Sequence, residues 1–158
     1  MILQIVGYKN SGKTTVMIRA VQLLKDLGYH VTTIKHHGHM GEDIQLPDSK
    51  LDHMKHFNAG ADQSIVQGHE YVETIKRDNE SALETLIADY VRMDNNIILV
   101  EGYKNAPYEK VILYRNTEDY NQLIKLQNVV YTIDQTIQNN DISSFEKWLR
   151  TWVNKQKG

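Results

Sequence analysis

Gly7-Tyr8-Lys9-Asn10-Ser11-Gly12-Lys13-Thr14-Thr15 is the stretch whose reading decides the fold. It satisfies G-x-x-x-x-G-K-[ST], the pattern of a phosphate-binding loop. The two glycines let the backbone curl so that successive N–H groups point inward at phosphate oxygens. Lys13 would reach the β and γ phosphates, Thr14 would place its hydroxyl on Mg²⁺, and the helix that starts here directs its positive end at the same anion. Outward from the loop the context agrees. The apolar run 2–6 (ILQIV) reads as a buried strand. Val16, Ala20, Leu23, Leu24 and Leu27 fall on one face at helical spacing, so 14–27 reads as an amphipathic helix closed by Gly28. The β-branched run 31–35 (VTTIK) reads as a second strand, parallel to the first because a helical crossover joins them. Such βαβ units carry ligands at the carboxyl ends of their strands, which delivers Lys35 and His36 to the phosphate side.

At 158 residues the chain is expected to form one domain, 1–158, with a substantial core. Its 18 Lys plus Arg against 20 Asp plus Glu give a formal net charge of −2, so no global basic field points to nucleic acid or an anionic membrane. An anion site must therefore be local. The absence of cysteine removes disulfides and thiolate metal sites. No basic leader is apparent and the apolar runs are only strand-sized, so a soluble, cytoplasmic protein is expected.

From 36 to 49 the sequence HHGHMGEDIQLPDS loses apolar periodicity and reads as a functional loop. Ser49 is the expected N-cap of a helix running to Asn58 and ended by Ala59-Gly60-Ala61. Strands at 63–67 and 71–76 are too closely spaced for a parallel crossover, so they are expected to form an antiparallel hairpin. Asn79 is the expected cap of a helix whose core face is Leu83, Leu86, Ile87, Tyr90 and Val91. The run 97–100 (IILV) is the strongest strand signal and ends in Glu101-Gly102; an acid at the end of a buried parallel strand is where a P-loop enzyme organises metal-bound water. Strands at 110–114 and 129–133 and a helix at 143–154 burying Phe145, Trp148, Leu149 and Trp152 complete the chain. The sum is an α/β P-loop NTPase fold, a mostly parallel sheet wrapped by helices with an inserted antiparallel hairpin at about 63–76.

The loop at 7–15, Lys35-His36-His37-Gly38-His39, Asp48-Ser49, Ala59-Gly60-Ala61 and Val100-Glu101-Gly102-Tyr103-Lys104 together resemble the MobB family, GTP-binding adaptors of molybdopterin guanine dinucleotide synthesis. The likeness runs in order over about the first two thirds of the chain. It implies a homodimer that binds GTP with Mg²⁺ and hydrolyses it slowly. The implied partners are the molybdenum cofactor guanylyltransferase, which joins GMP to molybdopterin, and molybdopterin itself. By position, Gly7, Asn10, Ser11, Gly12, Lys13, Thr14 and Thr15 match the nucleotide loop, Glu101 matches the acid of the second motif, and Asp48 falls where related GTPases keep an acid near Mg²⁺ or the attacking water. Leu46-Pro47 stands where the family often has a Gly- and Lys-containing segment. No N-K-x-D guanine motif is present, and residues 115–119 (RNTED) read only as polar, so guanine preference comes from the resemblance alone.

Other readings stay open beside this one. His36, His37 and His39 suit a metal, which would make the chain a metal-insertion GTPase; the plainer reading is that they line an anion site or shape the loop. His53 and His56 share a helix face, with a solvated polar face as the plainer reading. Lys35 and Lys104, beyond strand ends, are either phosphate ligands or solvated lysines. Trp148 and Trp152 read as core or dimer contact. A small-molecule kinase is the remaining alternative, but kinases clamp the transferring phosphoryl group with cations, often arginines, and Arg19, Arg77, Arg92, Arg115 and Arg150 are scattered.

Overall fold

Strand β1 (Ile2–Gly7) holds the centre of a five-stranded sheet, and the computed structural model describes residues 1–37, 43–91, 94–136 and 142–157 around it. The other elements are α1 (Lys13–Asp26), β2 (His30–Lys35), α2 (Asp52–Asn58), β3 (Gln63–Gln67), β4 (Val72–Lys76), α3 (Leu83–Tyr90), β5 (Asn96–Glu101), β6 (Lys110–Tyr114), α4 (Thr117–Leu123), β7 (Val129–Asp134) and α5 (Ile142–Lys157). The large sheet runs β2-β5-β1-β6-β7 and every pairing in it is parallel. β3 and β4 form a separate antiparallel pair, as their short connection requires. The all-parallel sheet buries both faces, which is why β1, β5 and β6 are nearly continuous apolar runs.

Alternation along β1 divides the core. Leu3 and Ile5 point to the face covered by α1 and α5, where they join Val16, Leu24, Leu99, Leu113, Phe145 and Leu149. Val6 and Ile2 point to the opposite face, where α4 supplies Leu123 and α3 supplies Leu83 and Ile87. On the first face Phe145, Trp148 and Tyr131 form an aromatic cluster with ring separations of 4.7 to 6.1 Å. Trp152 donates its indole N–H to Glu109 at 2.6 Å, anchoring α5 to the loop before β6.

Two expected caps are corrected. Ser49 does not cap α2: Asp48 makes the turn, its carboxylate accepting from the Lys50 N–H at 2.9 Å and its carbonyl from the Leu51 N–H at 3.1 Å, so the helix starts at Asp52. Asn79 does not cap α3: Asp78 accepts from the Ser81 N–H at 3.0 Å and delays the helix to Leu83. Tyr90 is 49% exposed and leaves the expected core face of α3. Helix α4 went unread in the polar stretch after β6; Asn116 caps it by accepting from the Asp119 N–H at 2.8 Å.

Phe145→Ala removes a fully buried ring and is expected to cost about 3–5 kcal/mol, whereas Tyr71→Ala on the exposed hairpin should stay within about 0.5 kcal/mol. Urea unfolding of the two variants checks this, and equal losses would contradict the core assignment.

Candidate functional site

The phosphate-loop sequence folds into a tight connection between β1 and α1 because its residues accept the required backbone. Asn10 has φ 59° and Gly12 φ 86°, both left-handed. Gly7 is needed for room: a Cβ there would lie 2.4 Å from Ser11 Oγ and 2.9 Å from the Leu113 carbonyl. The hydroxyl could rotate away, but the carbonyl belongs to β6, the neighbour strand of β1. Ser11 is 2% exposed, and its buried hydroxyl has no hydrogen-bond partner among the described residues. A buried polar atom left unsatisfied beside a curled backbone fits a loop built for an anion.

The carboxyl ends of β1, β2 and β5 open on a cleft of about 1050 Å³. Its described lining comprises residues 7–14 of the loop, residues 35–37 after β2, and residues 101–106 after β5. Of the residues expected at the site, Gly7, Asn10, Ser11, Gly12, Lys13, Thr14 and Glu101 meet here. Thr15 is exposed on the first turn of α1 and is not among the lining residues. Asp48 is not among them either; its carboxylate is exposed and occupied by the turn before α2. His36 and His37 line the cleft, while His39 lies outside the described residues. Among the described residues no group of three or more metal-ligating side chains occurs. His53 approaches Glu73 at 3.4 Å, tying α2 to the hairpin, and His56 is exposed.

Among the described lining residues lysines dominate the charge: Lys9, Lys13, Lys35 and Lys104 face a single acid, Glu101. Lys13 donates to the Tyr8 carbonyl at 2.7 Å, and Lys35 approaches Glu101 at 3.9 Å. Burial pushes the Lys13 ammonium below the usual lysine range; Glu101 opposes that shift, and Lys104, Lys35 and Arg115 add to it. Tyr8, Tyr103 and Asn105 are lining residues that the motif reading missed. The Tyr103 ring packs on His36 at 4.6 Å, joining the ends of β5 and β2.

The family described as "Molybdopterin guanine dinucleotide synthesis protein B", MobB, matches residues 2–135. The chain belongs to the MobB family. A Bacillus subtilis relative named probable molybdopterin-guanine dinucleotide biosynthesis adapter protein is 36% identical over 132 residues, covering 82% of this chain and 75% of its own. A Haemophilus influenzae adapter protein of the same pathway is 26% identical, covering 99% of this chain and 92% of its own. The crystal structure of a MobB homolog from Bacillus stearothermophilus superposes with a TM-score of 0.71 at 28% identity, over 98% of this chain and 96% of that one. The parallel sheet with its small antiparallel hairpin is thus the MobB architecture. Among the described residues no helix is long and apolar enough to cross a membrane.

Gly7→Ala is expected to destabilise the chain by about 2 kcal/mol or more, since relieving the contact requires backbone movement in the sheet. Gly68→Ala, where a Cβ would meet only an ordinary 3.7 Å contact, should change stability by less than about 1 kcal/mol. Thermal unfolding of both variants tests the difference, and a harmless Gly7→Ala would refute the tight-loop reading.

Proposed function

We propose that this chain is a GTP-binding, slowly hydrolysing adaptor in the synthesis of molybdopterin guanine dinucleotide. The observation that carries the reading is the loop itself: a crowded glycine, left-handed backbone and an orphaned buried hydroxyl lie beside Lys13 in a lysine-lined cleft. Family membership supplies the pathway, since the Bacillus subtilis and Haemophilus influenzae relatives are named as its adapters.

In this reading the loop N–H groups and Lys13 hold the β and γ phosphates. Thr14 and Glu101 are the residues that would hold Mg²⁺, Glu101 through water, and a bound Mg²⁺ would screen the charge between the two phosphates. Asp48, held in the turn before α2 and outside the described cleft lining, would serve as a further acid for metal or water only if that turn opened toward the cleft. Lys13 exchanges the neutral Tyr8 carbonyl for a phosphate oxygen, a stronger charge-assisted partner. The described cleft lining contains neither arginine nor glutamine, which supports slow turnover unless a partner supplies a cation. The proposed partner is the nucleotidyltransferase that joins GMP to molybdopterin, with molybdopterin itself as a further ligand and the cytoplasm as the setting. A homodimer is proposed as well; the exposed Ile65, Tyr71 and Val72 on the hairpin support a second copy there.

Equilibrium titration with GTP and ATP, with and without Mg²⁺, tests the reading. GTP should bind in preference to ATP, and Lys13→Ala should lose triphosphate binding; equal binding of both nucleotides, or an unaffected variant, would refute it. The pH profile has a defined sign. A bound phosphate raises the Lys13 pKa above its lowered free-state value, so binding takes up a proton as pH approaches that value. Affinity should be level near neutrality and then fall with rising pH, beginning below the ordinary lysine value of 10.5 and approaching about tenfold per pH unit.

A further inference from the structure

Two buried polar side chains lie under the wall of the cleft. Gln4 and Lys110 are both 0% exposed, and they are register partners on the neighbouring parallel strands β1 and β6, which puts them on one face of the sheet. Gln4 interrupts an otherwise apolar strand and donates through Nε2 to the carbonyls of Gly102 at 3.0 Å and Tyr103 at 2.7 Å. Lys110 donates through Nζ to the carbonyls of Ala106 and of Tyr108, the latter at 2.8 Å. Burying an amide and an ammonium is costly, and apolar residues would fill the same space at lower cost. What the pair accomplishes is to hold the loop between β5 and β6 at 102, 103, 106 and 108.

That loop carries Lys104. Its ammonium sits 4.0 Å over the ring of Tyr8, the residue whose carbonyl accepts from Lys13. Two lysines, one from the phosphate loop and one from the opposite wall, thus converge on Tyr8. They differ from Lys35, which has Glu101 beside it; Lys104 forms no ion pair among the described residues.

We propose that Lys104 supplies a second cation to the terminal phosphate of the nucleotide held by the loop, and that Gln4 and Lys110 are the positioning residues that aim it. This rests on the nucleotide-binding reading above. It assigns within the chain part of the charge neutralisation that phosphoryl chemistry requires. Because the contact is to the terminal phosphate, it discriminates triphosphate from diphosphate.

The test is equilibrium titration of the full chain with GTP and with GDP, each with Mg²⁺, for wild type, Lys104→Met, Lys104→Arg, Gln4→Leu and Lys110→Met, alongside unfolding midpoints without nucleotide. Lys104→Met should weaken GTP roughly ten- to hundredfold, the range of a charge-assisted contact, and leave GDP within about twofold. Lys104→Arg should recover most of that loss. Gln4→Leu and Lys110→Met should show the same selective loss of GTP in smaller measure; a purely structural role would weaken both nucleotides alike. Lys104 is only partly buried, unlike Gln4 and Lys110, so its variants remain informative even if the buried substitutions unfold the chain. A wild type that binds GTP, with Lys104→Met unchanged or weakened equally for GTP and GDP, overturns this assignment alone. A wild type that binds neither nucleotide overturns the underlying reading and this one with it.

Discussion

Strand β1 is hydrogen-bonded along both edges, to β5 on one side and β6 on the other, and the geometry of the cleft depends on that placement. Parallel pairing aligns the carboxyl ends of all three strands on one edge of the sheet. The loop after β1 and the acid ending β5 therefore arrive at one place without any long-range search by the side chains. Gly7 pairs with Leu113 and Ile5 with Glu101, so a slip in register would move the loop away from its acid and its wall together.

The polar residues inside this sheet mark where packing has been traded for position. The two faces of β1 are filled by apolar side chains except at Gln4, and β6 is apolar except at Lys110. Burial lowers the Lys110 pKa, and the chain tolerates that because two carbonyls solvate the ammonium. The eight irregular residues between β5 and β6, 102–109, would otherwise have exposed carbonyls facing an apolar sheet. The buried donors make it part of the scaffold, so the cleft has a fixed wall opposite the phosphate loop.

Much of this was legible in the amino-acid order because local and long-range signals agree. The glycine spacing at 7 and 12, the helical period after it and the apolar strands at 97–100 and 110–114 all specify the same sheet, and the elements that were read start and end within three residues of the readings. Caps were less legible: Asp48 and Asp78, not Ser49 and Asn79, make the turns, because an Asx turn can form ahead of the helix and displace its first residue. Helix α4 escaped because seven residues that bury only Leu123 give no readable period, although Asn116 with Glu118 and Asp119 behind it is a capping signal. Within the site, the motif residues were legible and their supports were not. Gln4 acts through carbonyls 98 and 99 residues away, a contact that no local pattern encodes, and Lys110 reads in the sequence only as the polar start of a strand.

The strand order also governs when the cleft comes into being. β1 pairs with β5 and β6, and β2 pairs with β5, so neither of the first two strands has a sheet neighbour until the segment beginning at Asn96 has been made. In a nascent chain the strand that leads into the phosphate motif thus has no sheet partner until residues from Asn96 onward have been made. Closing such distant pairings requires loop-closure entropy to be spent before any contact compensates it, which places the chain among the slower-folding topologies. The motif at 7–15 is therefore among the last stretches to acquire its working shape.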